Sequence, residues 1–580
     1  MSKSISSTYI PGKDTLWNFC LWGLITAYIA VSLFPLLQSG YYSDDMEYSL
    51  IRPAQELQGG SFLNHLVDKN TVSIKLNGRL SPVNYFFKGL IYYYANTLLA
   101  YKVIILLMVV VNIFLFGHFV KLLVGNKYVS YLLMLVIPSF LQFRLNHDPI
   151  LAFGGQMQIL FLFVLLSLIF LQKYLIGNKY SNWGISVIFY NLCLYCYEVS
   201  FVFLPVYFIL IFEARSNWRK GVITASPFLV SLFAAVTLNL LAVFVWKDPS
   251  AAGYAGTKMN INISILKTFF IQIGAALPLS YYFGDPSKIF DHNILDFLSR
   301  VSLPYWLITV LFTFFYLRLS RKLNLPDIKW RALILTGLIF FLAPAFLTSL
   351  SEKYQRELIP YGFGMGHIPV YIQYYGLLMI LSGCFFFFLR LIPSGFGRKV
   401  IGLFVLLSLD FILLVNLRDN VIIVDKANID LYYRRQALEE ALKKNILQGV
   451  PENSKILMVD EYTYDPYPAS VVSPLKGWAS AGYSWKTKAL VYFHSRRRVK
   501  VYTEIVKLLR DSDLQDGRID NRKNNIYMLT ICSYPEELHK KEGYVVLRKI
   551  KNIIRNQVDI NKSQVEFEGP ELMVSGQKKV

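Results

Sequence analysis

The feature that most constrains this chain is a run of apolar blocks, several of them longer than the roughly 20 residues a helix needs to cross a hydrocarbon core. The first covers residues 15–37, and others follow at about 101–123, 130–146, 150–172, 183–199, 200–212, 222–245, 302–319, 332–349, 371–391 and 399–416, about eleven in all. Of the 580 residues 54% are hydrophobic and only 17% charged, where a soluble protein carries roughly a quarter. The expected fold class is therefore an α-helical polytopic membrane protein.

Loop charge orients the helices. Lys and Arg outnumber Asp and Glu by 59 to 38, and many of these bases flank apolar blocks, where they mark cytoplasmic loops rather than a nucleic-acid surface. Lys121 and Lys127, Lys173 and Lys179, Arg215 to Lys220, Arg318 to Arg331, and Arg390 to Lys399 fall on one side if the first block starts in the cytoplasm as a retained helix. The outer side then receives three long loops, at 38–100, 246–300 and 350–370. Apolar stretches at 82–100 and 266–283 lie inside two of these loops. Counting just one as a span would break the basic pattern, so both are expected on or dipping into the outer interface; if both crossed, the later alternation would survive.

An odd number of spans puts the tail outside. From about 417 the charge rises, residues 429–448 read as an amphipathic helix, and strand-like runs follow at 455–459, 498–503, 525–532 and 543–548. The expected organisation is a transmembrane domain at 1–416 and a small soluble α/β domain at 417–580 on the outer face. It contains neither GxGxxG nor GxxxxGK, so it does not read as a nucleotide-binding domain. Four of the five cysteines lie in apolar blocks, and neither a disulfide framework nor a metal cluster can be read from them.

The candidate chemistry gathers at the outer face. Asp44 and Asp45, in YYSDDMEY, directly follow the first block. Such a pair is either a solvated acidic turn in an aromatic belt or a site facing a lipid-linked substrate whose reactive head sits at that depth. Arg79 in GRLSP and Lys88 close the same loop; Arg144, His147 and Asp148 stand in FRLNHDP. Glu198 lies in an apolar run, where an ionisable side chain is costly unless paired or facing water. Lys353, Tyr354, Gln355 and Arg356 open the 350–370 loop, with His367 and Gln373 beyond. All are candidates for substrate binding.

Paired acids after the first helix, the GRLSP stretch, interfacial helices in that loop, the Lys353–Arg356 loop and an outer soluble tail together resemble the GT-C superfamily of membrane glycosyltransferases. That resemblance implies a polyprenyl-phosphate sugar as donor and a place in a bacterial inner membrane. It also implies the branch that uses monophosphate donors without metal or other cofactor. An acceptor hydroxyl must lose its proton as it attacks the anomeric carbon, so Asp44 or Asp45 is the expected general base. Cations near the departing phosphate, Arg79, Lys88 or Arg356, would stabilise the released carrier. The expected reaction is inverting transfer of one sugar from undecaprenyl phosphate to a surface glycan or lipid. A surface-polysaccharide polymerase or ligase is the alternative within the class, and a lipid-linked sugar flippase or transporter the alternative outside it.

Overall fold

In the computed structural model the described residues are 13–95, 97–145, 147–215, 217–254, 256, 258–284, 301–323, 328–393, 395–428, 432–460, 484–503, 505–512, 518–520, 525–532, 543–554 and 564–576. The chain is a multi-pass membrane protein, mostly helical, with a small C-terminal sheet. Among the described residues seven helices are long and apolar enough to cross a membrane: Leu98–Val124, Phe153–Gly177, Trp218–Trp246, Leu303–Ser320, Trp330–Leu350, Val370–Leu391 and Gly395–Ala427. Shorter apolar helices occupy the other expected positions, Leu21–Ser32, Lys127–Ser139, Tyr180–Leu194 and Leu204–Ala214.

The expected interfacial segments are helices at Pro82–Tyr94 and Ser264–Ala275, of 13 and 12 residues. At 1.5 Å per residue neither exceeds about 20 Å, short of a hydrocarbon core of about 30 Å. Trp330–Leu350 and Val370–Leu391 lie backbone to backbone. A Cβ on Gly376 would sit 2.6 Å from the amide nitrogen of Phe341 and 2.8 Å from the carbonyl oxygen of Gly337. This contact fixes the two ends of the 351–369 loop.

Two expectations need correcting. The span expected at 130–146 stops at Ser139, and residues 140–145 and 147–152 are irregular although mostly buried. Its backbone groups find partners that make burial tolerable: Asn416 and Asn420 donate to the carbonyls of Ser139 and Leu141, and Asn420 accepts the Phe143 amide. Those asparagines also explain the second correction. The domain boundary expected after residue 416 falls inside the Gly395–Ala427 helix, because the polar residues Asn416, Arg418, Asp419 and Asn420 are buried against loops rather than solvated.

Beyond Ala427 the expected amphipathic helix is present at Tyr433–Lys443; residues 429–431 lie outside the described set. The strands are β1 (Lys455–Asp460), β2 (Lys500–Tyr502), β3 (Arg518–Asp520), β4 (Ile526–Cys532), β5 (Gly543–Ile554) and β6 (Gln564–Gly576). They form one mixed sheet in the order β2-β1-β4-β5-β3 with β6 also on β5; β1 is parallel to β2 and β4, and the β5 pairings are antiparallel.

This α/β unit is seated on the first loop. Leu50 lies in one apolar core with Leu438, Leu442, Ile456 and Leu529. Arg435 donates to the Met46 carbonyl at 3.1 Å and to Ser49 Oγ at 2.7 Å, with its guanidinium 4.4 Å from the Tyr41 ring centre. Asn428 accepts the Gly40 amide at 2.7 Å. The tail and the acidic pair therefore share one side of the protein.

Candidate active site

The two adjacent acids have opposite surroundings. A single helical turn, Asp45–Tyr48, starts at the pair and directs the two side chains apart. Asp45 points inward and is fully buried. It accepts hydrogen bonds from the hydroxyls of Tyr92 and Tyr101 (2.6 Å for Tyr101) and from the Gly154 amide at 3.3 Å, and Lys102 Nζ lies 4.0 Å away. Gly154 stands at φ +59°, and a Cβ there would sit 2.7 Å from the Tyr92 ring. Only glycine admits both the backbone turn and this approach. Burial pushes the Asp45 carboxyl above the usual range, and Lys102 and the tyrosine donors oppose that shift. Both Asp45 oxygens are engaged, which ties the first loop to two helices.

Asp44 points outward. It is exposed, and its carboxylate makes no hydrogen bond or ion pair among the described residues. Its charge is nonetheless felt by Lys69, Lys88, His147, Lys353 and the Tyr48 phenol. Lys88 comes from the Pro82–Tyr94 helix and is buried. Its ammonium lies 4.2 Å from the Tyr48 ring centre and 6.0 Å from that of Phe153, with no ion-pair partner among the described residues. Burial pushes the Lys88 ammonium down to about 8, partly offset by Asp44 and Asp45. A buried cation held only by ring faces suits an incoming anion.

Arg79 and Glu198 meet across 119 residues of sequence in a two-pronged pair, both N–O distances 2.6 Å. The guanidinium is also sandwiched between the rings of Tyr197 and Tyr254, 5.0 Å from each centre. The pair borders a cavity of about 240 Å³ with Tyr354, Ser351 and Lys258 on its wall. Glu198 opens a short 3-10 stretch between two half-length helices, so it stands at a break in the helical run.

Four more candidates cluster nearby. Lys353 donates to the Tyr254 hydroxyl at 3.1 Å and lies 3.7 Å from Glu357. His147 Nε2 is 3.6 Å from Glu357, and its ring faces His367 at 5.1 Å. The His367 ring in turn packs on Tyr354 at 4.1 Å. Burial lowers both imidazoles below their ordinary value; for His367 the neighbouring His147, Lys353 and Arg79 add to it, and for His147 the Glu357 charge opposes it. The Nδ1 atoms of both histidines and Oε2 of Glu357 are buried without a hydrogen-bond partner. Three such orphaned polar atoms on adjacent side chains form a surface for a polar ligand.

The remaining candidates are engaged elsewhere. Arg144 is fully buried and holds three segments together, donating to Ser280 and to the Gly364 carbonyl at 2.6 Å each, to Tyr374 at 2.7 Å and to the Ala275 carbonyl. Asp148 accepts the amides of Arg144, Ile150 and Leu151, and burial pushes its carboxyl up to about 6. Gln355 is satisfied by Asn260 and the Ser349 carbonyl, and Gln373 by Gln272 and the Phe341 carbonyl. The Arg356 side chain is 69% exposed and among the described residues pairs with Glu352, one helical turn back.

Sequence reasoning missed Glu357, Lys69, Tyr197 and Tyr254. Glu357 sits four residues after Lys353, and that spacing was a readable signal. Tyr254 lies in a long polar loop with no local pattern to mark it.

No protein-family model matches the sequence, and no curated protein matches it. Solved structures do. The chain is similar over 97% of its length to 99% of the crystal structure of ArnT from Cupriavidus metallidurans bound to undecaprenyl phosphate, at 9% identity and a TM-score of 0.40. It is also similar over 74% of its length to 43% of the cryo-EM structure of arabinosyltransferase EmbB from Mycobacterium smegmatis, at 11% identity and a TM-score of 0.33.

Proposed function

We propose that this protein is a membrane glycosyltransferase that moves a sugar from a polyprenyl-phosphate donor to an acceptor hydroxyl, with Asp44 as the general base. The observation that carries the reading is the division of labour in the acidic pair: Asp45 is saturated, while Asp44 is bare and surrounded by cations. In the reaction, the acceptor oxygen bonds to the anomeric carbon as its proton passes to Asp44. The bond from that carbon to the phosphate oxygen breaks, and its electron pair leaves with the carrier. A single displacement inverts the anomeric centre.

Lys88 is assigned the donor phosphate, because it is a buried cation near Asp44 that has neither a hydrogen bond nor an ion-pair partner among the described residues. Arg79 has two nitrogens committed to Glu198, so it contributes mainly by fixing the wall of the cavity beside the phosphate. His147, His367, Glu357 and Lys353 offer donors and acceptors for sugar hydroxyls. The orphaned atoms among them support that role. The α/β unit buttresses the first loop through Arg435 and Leu50, so it holds the Asp44 turn in place. The reading puts this face outside a bacterial inner membrane, with undecaprenyl phosphate as the carrier.

The test is turnover. Purified protein is incubated in detergent with a panel of synthetic polyprenyl-phosphate sugars and mixed glycan and lipid acceptors. Release of polyprenyl phosphate is followed by mass spectrometry. Acceptor-dependent release supports the reading, whereas intact donor in every combination, alongside translocation of the same donor in vesicles, contradicts it and favours a flippase.

A further inference from the structure

Away from the Asp44 face there is a larger cavity, about 810 Å³ and open on one side, bordered by the helices at Lys127–Val136, Leu303–Ser320, Val370–Leu391 and Gly395–Ala427. Its walls are apolar, with Leu132, Phe385, Leu403 and Ile412 among them. One end is basic: Arg321, Arg398 and Lys399 line it, and no lining residue among the described ones is acidic. Arg398 donates to the Ile392 carbonyl at 2.9 Å, and the Arg321 and Lys399 side chains have no hydrogen-bond or ion-pair partner among the described residues.

Distance separates this end from the proposed reaction centre. The Gly395–Ala427 helix begins at the basic end and finishes beside Asn428, which holds the Gly40 amide at the first loop. From Lys399 to Ala427 a rise of 1.5 Å per residue gives about 42 Å, more than a hydrocarbon core. These cations therefore belong to the opposite membrane face and do not meet the donor phosphate. Between Lys399 and Ile412 the chamber runs about 20 Å along the helix, somewhat more than half the thickness of a core of about 30 Å.

We propose that the chamber is a binding site for an anionic phospholipid of the basic-side leaflet, with acyl chain between the four helices and phosphate at Arg321 and Lys399. The apolar length matches a lipid chain entering from that leaflet. Two cations at its mouth without partners among the described residues suit a phosphate, and three basic side chains with no acid among the described lining residues favour net negative over zwitterionic headgroups. A lipid here would brace the Leu303–Ser320 helix against Val370–Leu391.

The experiment uses the full chain in detergent, titrated with phosphatidylglycerol or phosphatidylcholine and read by native mass spectrometry and thermal unfolding. The expected result is one saturably retained phosphatidylglycerol per chain and a rise in unfolding temperature that phosphatidylcholine does not reproduce. Arg321→Gln with Lys399→Gln should weaken retention by about tenfold or more, as loss of charge-assisted bonds implies. Gly402→Trp keeps the charges and fills the space, since a Cβ at Gly402 meets nothing within 4 Å; it should abolish retention. Both variants should still bind polyprenyl phosphate at the far face. Equal protection by phosphatidylcholine, undiminished retention in both variants, or cross-linking of two copies through a cysteine at Gly402 would each overturn the proposal.

Discussion

Lys88 gives a pH-dependent prediction that needs no knowledge of the sugar. Its ammonium is pushed down to about 8, mainly by burial. It is about nine-tenths charged at pH 7 and about one-tenth charged at pH 9. A phosphate monoester has its second pKa near 6, so polyprenyl phosphate is dianionic across most of that range and adds little pH dependence of its own. If only the charged form of Lys88 accepts the phosphate, apparent affinity scales with that fraction and should fall about tenfold from pH 7 to pH 9. The direction follows from the depressed value: affinity is full below about 8 and is lost as pH rises through it. Binding above pH 8 should also take up a proton, measurable by calorimetry in buffers of different ionisation enthalpy. Lys88→Arg should bind with a flat profile, Lys88→Met should bind weakly at every pH, and Lys69→Arg should leave the wild-type profile intact. A wild-type affinity constant between pH 7 and 9 would refute the assignment.

Other consequences are more quickly checked. Removing one partner of the part-buried Arg79–Glu198 pair, as in Glu198→Gln, should destabilise the protein by about 1–3 kcal/mol, while Arg79→Met with Glu198→Met should cost less than the two single changes summed; denaturant titrations of the four proteins test this. Arg144→Met should cost a similar amount by orphaning the carbonyls of Gly364 and Ala275, whereas exposed Arg356→Ala should stay within about 0.5 kcal/mol and leave turnover unchanged. For orientation, a cysteine at exposed Gly449, where a Cβ meets open space, should react with a membrane-impermeant thiol reagent added from the outer side of the inner membrane. Reaction only after that membrane is broken would put the tail in the cytoplasm.

Much of the fold was legible because burial in lipid leaves a long signature. A helix stands at each of the eleven apolar blocks, and the two stretches expected at the interface are helices of 13 and 12 residues. What hydropathy concealed is irregular backbone that is buried in protein. The apolar run that begins at 130 read as a span through 146, whereas side chains as distant as Asn416 and Asn420, nearly 280 residues away, take up backbone groups that leave the helix after Ser139. The rise in polarity after 416 read as a solvated tail for the same reason.

The site was partly legible. Charged residues at one predicted depth did gather: Asp44, Arg79, Lys88, His147, Lys353 and His367 share one region. Depth alone says nothing of direction, however. Arg144 and Asp148 lie at that depth and point into the protein, and Arg356 points out of it. The choice between Asp44 and Asp45 rested on the tyrosines at 92 and 101 and on the glycine at 154, partners that sequence spacing does not reveal.

The most direct test of the central claim compares Asp44→Asn with Asp45→Asn in donor turnover, each checked for fold by thermal unfolding. Asp44→Asn should unfold like the parent yet lose two to four orders of magnitude in turnover, roughly the worth of a positioned base. Asp45→Asn should lower the unfolding temperature, because it leaves Lys102 buried without its carboxylate. Normal turnover in Asp44→Asn, or a well-folded but inactive Asp45→Asn, would contradict the account.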